Sequence, residues 1–316
     1  MSYKWTALIG RLEENMIRIY MKREMHMKYI GLKLVLTSVV FCLFAGSVFA
    51  AVNNKTSVTT IYLVGDSTVC KYGDDTAKYD VVRSGWGENI DKYFTNEVKV
   101  NNLAISGRSA RSFTYENNYQ DLKDNLKKGD YLFIQFGHND EKKDVANSTD
   151  TSKLYRHATP LGNETLKGSY QYYLYEYYIK LAREKGAIPV LVTPIARRLF
   201  DNSGKVIDSH YSEAEGENTI SYDNSMRALA RKQNVTLIDL NKATVALYNK
   251  LGNDGAGKLH AVYNAENTQN GLEIDNTHLN RVGSLKVAGL VAEGISKSNL
   301  PLKKYLKNNV FIYDVY

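Results

Sequence analysis

At 316 residues, with 43% hydrophobic and 24% charged side chains, the chain has an ordinary globular composition, long enough for one large domain or two small ones with a sizeable core. Part of its net charge of +7 belongs to the first fifty residues, which hold seven Lys and Arg against three Glu; the rest balances 34 basic against 31 acidic residues, a net +3. Those basic residues are scattered among acids, which argues against a nucleic-acid partner, and Cys70 is the one cysteine left once Cys42 goes with the leader, which excludes an internal disulfide.

Residues 34–50 are almost unbroken apolar sequence, preceded by Lys28 and Lys33 and ending on Val48-Phe49-Ala50, the pattern of a secretory signal peptide cut near Ala50. The expected organisation is therefore a leader over 1–50 and a single domain over 51–316, exported to the periplasm or the medium, with no membrane span after cleavage. A retained anchor is the alternative, although the apolar run is at the short limit for a spanning helix. Glu13, Glu14 and Glu24 do not suit the start of a signal peptide, so translation from Met25 or Met27 fits better. Phe41 stands before Cys42 where a lipoprotein needs a small residue.

After the leader, short β-prone runs alternate with helical patterns, the sequence form of a parallel sheet covered on both faces. Strands are predicted at 60–64, 98–102, 131–136, 188–193 and 236–239. Helices are predicted at about 87–93, 119–126, 170–185, 221–233, 242–251 and 280–298, and Gly129 and Gly186 read as helix C-caps. Ser67, the Gly107 segment, Asn139 and Pro194 each follow a predicted strand. The carboxyl ends of parallel strands share one edge of the sheet, where ligands bind, so these separated residues converge. The polar stretches 144–167 and 201–218 fall near the same rim.

A serine hydroxyl is a weak nucleophile until an imidazole takes its proton, and that imidazole needs a carboxylate to fix its tautomer. Ser67, in Gly65-Asp66-Ser67, and Asp275-Asn276-Thr277-His278, expected on a loop before the last helix, fit those roles. Each block is weak alone. Gly-Asp-Ser is most often a turn, and Asp-x-x-His before a helix most often supplies a cap. Other patterns carry less: 252–258 has the Gly and Lys spacing of a phosphate loop, but Leu259 replaces the required Ser or Thr and a helix precedes it. The tyrosines at 170–178 have helical spacing and read as half core, half surface rather than a sugar-stacking strip. His157, His210 and His260 have no metal-like spacing, and the sequons at Asn54, Asn147, Asn163 and Asn234 matter only in a glycosylating host.

In chain order, Gly65-Asp66-Ser67, Asn102 to Arg108, Gly137-His138-Asn139-Asp140 and Asp275-Asn276-Thr277-His278 resemble the SGNH (GDSL) hydrolases. The resemblance implies a three-layer α/β/α sandwich around a five-stranded parallel sheet, flavodoxin-like in form. It also implies a triad of Ser67, Asp275 and His278, an oxyanion hole from the backbone N–H groups of Ser67 and Gly107 and the side chain of Asn139, and no metal or organic cofactor. The extended blocks at 107–112, 193–198 and 226–230 are similar to the rhamnogalacturonan acetylesterase branch, which implies a secreted esterase acting on acetylated plant polysaccharide. An esterase of the same fold on acetylated xylan or on small or lipid esters remains open, as does a carbohydrate-binding protein without activity. Since pectic backbones carry galacturonate, Arg108, Arg111, Arg197 and Arg198 are candidate substrate ligands, and Trp86 is a candidate for the rim or, equally, for the core. Cys70, where a polar residue is commoner, reads as a small buried thiol.

Overall fold

The computed structural model describes residues 13–33, 58–73, 79–207, 210–216, 219–264 and 271–307. The chain divides into two compact units, Met1–Ser57 and Val58–Tyr316. In the first, residues 13–33 form a helix exposed along its whole length; the apolar run 34–50 and the cleavage point expected near Ala50 lie outside the described residues. No described helix is long and apolar enough to cross a membrane.

The second unit is built on strands β1 (Thr59–Gly65), β3 (Val98–Asn102), β4 (Tyr131–Gln135), β5 (Ile188–Val192) and β6 (Thr236–Ile238), ordered β3-β1-β4-β5-β6 and all parallel. Alternate residues of the same short runs bury on opposite faces. Ile61, Leu63, Phe133, Val190 and Val192 pack in one core, and Tyr62, Val64, Leu132, Ile134 and Leu191 in the other. A strand apolar on both sides has to be covered on both, which is why the apolar runs are continuous. Helices α1 (Asn117–Asn125) and α3 (Tyr222–Gln233) cover the second face, as does α2, a continuous run of Tyr170–Tyr173, a π segment Leu174–Ile179 and Lys180–Glu184. Helix α5 (Arg281–Lys297) lays Val287, Val291 and Ile295 on the first face, where α4 (Leu240–Gly257) also packs through Leu240.

Several local expectations change. The segment at 87–93 forms two short 3-10 helices, Trp86–Glu88 and Ile90–Tyr93, in place of an α-helix. Gly186 does close α2, with φ +70° and Ala187 N–H donating back to Ala182 O at 2.8 Å. Gly129, at φ +88°, instead sits in the turn Lys127–Asp130, beyond the end of α1. The phosphate-loop look-alike at 252–258 starts inside α4, where Gly252 (φ 70°) kinks the helix. A second sheet, absent from the sequence reading, pairs β2 (Tyr79–Val81), β7 (His260–Asn264) and β8 (Leu272–Leu279) antiparallel.

Candidate active site

β1 ends at Gly65, and the chain turns at once into a helical turn in which Val69 and Cys70 donate N–H to Asp66 O at 3.1 and 3.0 Å. Ser67 stands at the head of that turn. Asp66, fully buried, fixes it: Oδ1 accepts from Thr68 N–H at 2.9 Å and Thr68 Oγ1 at 2.8 Å, and Oδ2 lies 3.2 Å from His138 Nδ1. Burial pushes the Asp66 carboxyl up, but His138 and the Thr68 bonds outweigh it and hold it below the usual carboxylate range. Burial lowers His138 to about 4 despite Asp66 beside it, so this ring stays neutral and acts as a strut for the turn. Trp86 supports the turn from below: it donates Nε1–H to Gln135 at 2.8 Å, and Gln135 Nε2 donates to Thr68 Oγ1 at 2.6 Å. At 1% exposure Trp86 is a core residue, which removes it from the candidate substrate ligands and decides for the core over the rim. Gly85 before it is obligatory, since a Cβ there would meet Cys70 O at 2.3 Å. Cys70 itself is buried, and loss of solvent pushes its thiol up to about 11, far from a reactive thiolate.

Asp275 and His278 are carried on strand β8 and not on the loop expected before the last helix; Asn280 caps α5, accepting from Gly283 N–H at 2.9 Å. Within β8 they occupy an irregularity. The register runs from His260↔Leu279 to Val262↔Ile274, so two steps along β7 are matched by five along β8, and residues 275–278 bulge out of the ladder. A bulge re-aims side chains that regular pleating would alternate across the sheet. Asp275 Oδ1 satisfies the freed backbone, accepting from Thr277 N–H at 2.7 Å and His278 N–H at 2.9 Å. Its Oδ2 lies 2.7 Å from His278 Nδ1, and His278 Nε2 lies 3.0 Å from Ser67 Oγ. Burial raises the Asp275 carboxyl, but the bonds to His278 and the two amides prevail and hold it at about 2.

The loops after β3 and β4 complete the arrangement. Ile105 N–H donates to Gly65 O at 3.1 Å, which brings the Gly107 loop beside the serine turn, and Gly107 takes φ +82°, a conformation that favours glycine. Asn139 Nδ2 donates to Arg108 O at 3.2 Å, and buried Asp140 accepts from Ala110 N–H at 2.9 Å. The buried tyrosines of α2 pin both loops, Tyr178 through Ala110 O and Tyr170 through Phe136 O, each at 2.7 Å. Half of the tyrosine run, Tyr170, Tyr173 and Tyr178, is thus buried, as its helical spacing leads one to expect.

The four candidate arginines are all engaged. Arg108 pairs with Glu116 at 2.9 Å and donates to Ser106 O at 2.7 Å. Arg111 meets Asp144 at 3.3 Å and lies over the ring of Tyr155 at 5.0 Å. Arg197 pairs with buried Glu141 and donates to Thr277 at 3.3 Å, while Arg198 bonds Asn253 and donates to Asn276 Oδ1 at 2.8 Å. Together with Arg198 N–H on Asn276 O, these two clamp the loop after β5 to the bulge that carries Asp275 and His278. Sequence reading missed Lys142, which lies three residues after Asn139 on one helical turn and donates from Nζ to Asn139 Oδ1 at 3.2 Å. The i, i+3 spacing was the available signal.

A family profile described as GDSL-like Lipase/Acylhydrolase matches residues 61–291. Among curated proteins of Bacillus subtilis (strain 168), the rhamnogalacturonan acetylesterase RhgT is 35% identical over 254 residues, 78% of this chain and 93% of that protein. The probable rhamnogalacturonan acetylesterase YesY is 35% identical over 242 residues, covering 77% and 94%. The crystal structure of YxiM from Bacillus subtilis superposes with a TM-score of 0.55 at 26% identity, covering 76% of this chain and 56% of that longer one. A profile match over most of the folded unit, joined to relatives 35% identical across nearly their whole length, means that the chain belongs to the GDSL-like lipase/acylhydrolase family.

Proposed function

We propose that the protein is an exported serine esterase that removes acetyl groups from rhamnogalacturonan. The observation that carries the reading is the continuous line Ser67 Oγ, His278, Asp275, with contacts of 3.0 and 2.7 Å. Ser67 Oγ attacks the acetyl carbonyl carbon while His278 Nε2 takes its proton, and Asp275 holds the ring so that Nε2 is free to accept. The carbonyl π pair moves to oxygen. Backbone N–H of Ser67 and Gly107 and Nδ2 of Asn139 receive that oxyanion, each donor worth about 3 kcal/mol of barrier. Collapse expels the sugar oxygen, which takes the proton from His278, and leaves acetyl-Ser67. Water then attacks with His278 as base, acetate departs, and the proton returns to Ser67.

Substrate choice rests on the two relatives whose names specify rhamnogalacturonan acetylesterase activity. Export rests on the basic, then apolar, then small-residue pattern before residue 51. Acetate release from acetylated rhamnogalacturonan, acetylated xylan and 4-nitrophenyl acetate, by wild type and Ser67→Ala, tests the reading. Rhamnogalacturonan should be the preferred polymer and the variant inactive on all three. A folded Ser67→Ala protein that retains activity would sink the mechanism, and preference for xylan would sink the substrate. Mass spectrometry of the exported protein should find an N-terminus near residue 51.

A further inference from the structure

Burying a cation next to a reacting centre without a counter-ion is costly, and chains do so where an incoming anion supplies the partner. Lys142 fits that description. It is only partly exposed, its Nζ spends one donor on Asn139 Oδ1 at 3.2 Å, and no carboxylate among the described residues lies within 4.0 Å of it. Glu141, the adjacent acid, attracts it through space but gives its own bonds to Arg197 and His210. Burial accordingly lowers the Lys142 ammonium from its ordinary range. Two of its three N–H donors are thus available within one amide group of the Asn139 Nδ2 that faces the oxyanion. The arginines contrast with it, since Arg108, Arg111 and Arg197 already pair with carboxylates and Arg198 is bonded to Asn253 and Asn276.

We propose that Lys142 is the specificity-determining residue for an anionic sugar: its ammonium pairs with the carboxylate of a uronate neighbouring the acetylated unit. This rests on the esterase reading above and adds the group that distinguishes an acidic polymer from a neutral one. Lys142 follows Asn139 by three residues on the turn closed by Lys142 N–H to Asn139 O at 3.2 Å, so the carboxylate-binding group and the oxyanion donor move as one body. A substrate held by its carboxylate is thereby set in register with the oxyanion hole.

The test is a cycle of two enzymes and two substrates, read as kcat/KM. Wild type and Lys142→Gln are each assayed on acetylated rhamnogalacturonan oligosaccharides and on the same oligosaccharides with their uronate carboxyls reduced to alcohols. Any disturbance of Asn139 lowers both substrates alike and cancels in the cycle. The expected result is a coupling of about tenfold between the lysine and the carboxylate, retained by Lys142→Arg. Lys143→Gln, which removes the same charge from the exposed neighbour, should show less than about twofold coupling, because solvent screens it. Additive losses for Lys142→Gln, or equal coupling for Lys143→Gln, overturn the inference while leaving the esterase reading in place. Absence of acetate release from the native oligosaccharides by wild type overturns the substrate reading itself, and this inference with it.

Discussion

Asp275→Asn separates the tautomer role of the carboxylate from its structural one. The two amides that point at Oδ1, Thr277 N–H at 2.7 Å and His278 N–H at 2.9 Å, require an acceptor there, so the new Asn must keep its oxygen on the bulge and turn its NH2 toward His278 Nδ1. A donor facing Nδ1 makes that nitrogen the acceptor and leaves the proton on Nε2, facing Ser67 Oγ at 3.0 Å, where it cannot receive another. The loss in kcat on 4-nitrophenyl acetate should be about 10⁴-fold, the size expected for a ring held in the wrong tautomer. Stability falls far less. The carboxyl held at about 2, against about 3.9 in an unfolded chain, corresponds to about 2.5 kcal/mol at neutral pH. Screening by solvent at this partly open site reduces that to about 1–2 kcal/mol, or a Tm lower by about 3–6 °C. Because the folded pKa lies below the unfolded one, this contribution is complete above the unfolded value and is lost as pH falls through the folded value. The Tm gap to wild type should therefore narrow between about pH 5 and 3. A folded Asp275→Asn protein with kcat within tenfold of wild type would refute the tautomer argument, and a gap undiminished at acid pH would refute the assignment of the depressed carboxyl.

Asn139→Ala removes the proposed side-chain oxyanion donor and should lower kcat about a hundredfold with little change in KM, whereas an effect confined to KM would reassign Asn139 to ground-state binding. Buried His260, whose Nε2 lies 3.2 Å from Tyr248 Oη, is held neutral by loss of solvent, its pKa lowered to about 4. The unfolded chain therefore binds one more proton between about pH 6.5 and 4, so stability should fall as pH drops through that window. His260→Gln should flatten the fall in Tm measured across it; an unchanged slope would mean that another group governs acid stability.

Much of this protein is written locally. Runs such as Ile61 to Val64 and Leu132 to Ile134 are apolar on both faces of a strand, and their alternation with helical patterns is the form of a parallel sheet covered on both sides, so five strands and their order along the chain are legible without coordinates. The positions of Ser67, Gly107 and Asn139 are legible too, because each follows the end of such a strand, while the roles proposed for them come from the family resemblance. What the sequence does not determine is every feature created by pairing between distant segments. Asp275 and His278 read as a loop because they stand just ahead of the last helical pattern; only the pairing of β8 with β7, and the surplus residues that pairing expels, makes them a bulge on a second sheet. Trp86 between two glycines has no local mark of depth, and its burial follows from where Gln135 lies, 49 residues away. The arginines likewise carry charge in the sequence but acquire their partners, Glu116, Asp144, Glu141 and Asn276, in three dimensions, and Lys142 stands out only once those partners are taken. Hydrophobic periodicity is a property of a single segment, whereas register, burial and charge pairing depend on which segments meet, and that is decided by the packed chain as a whole.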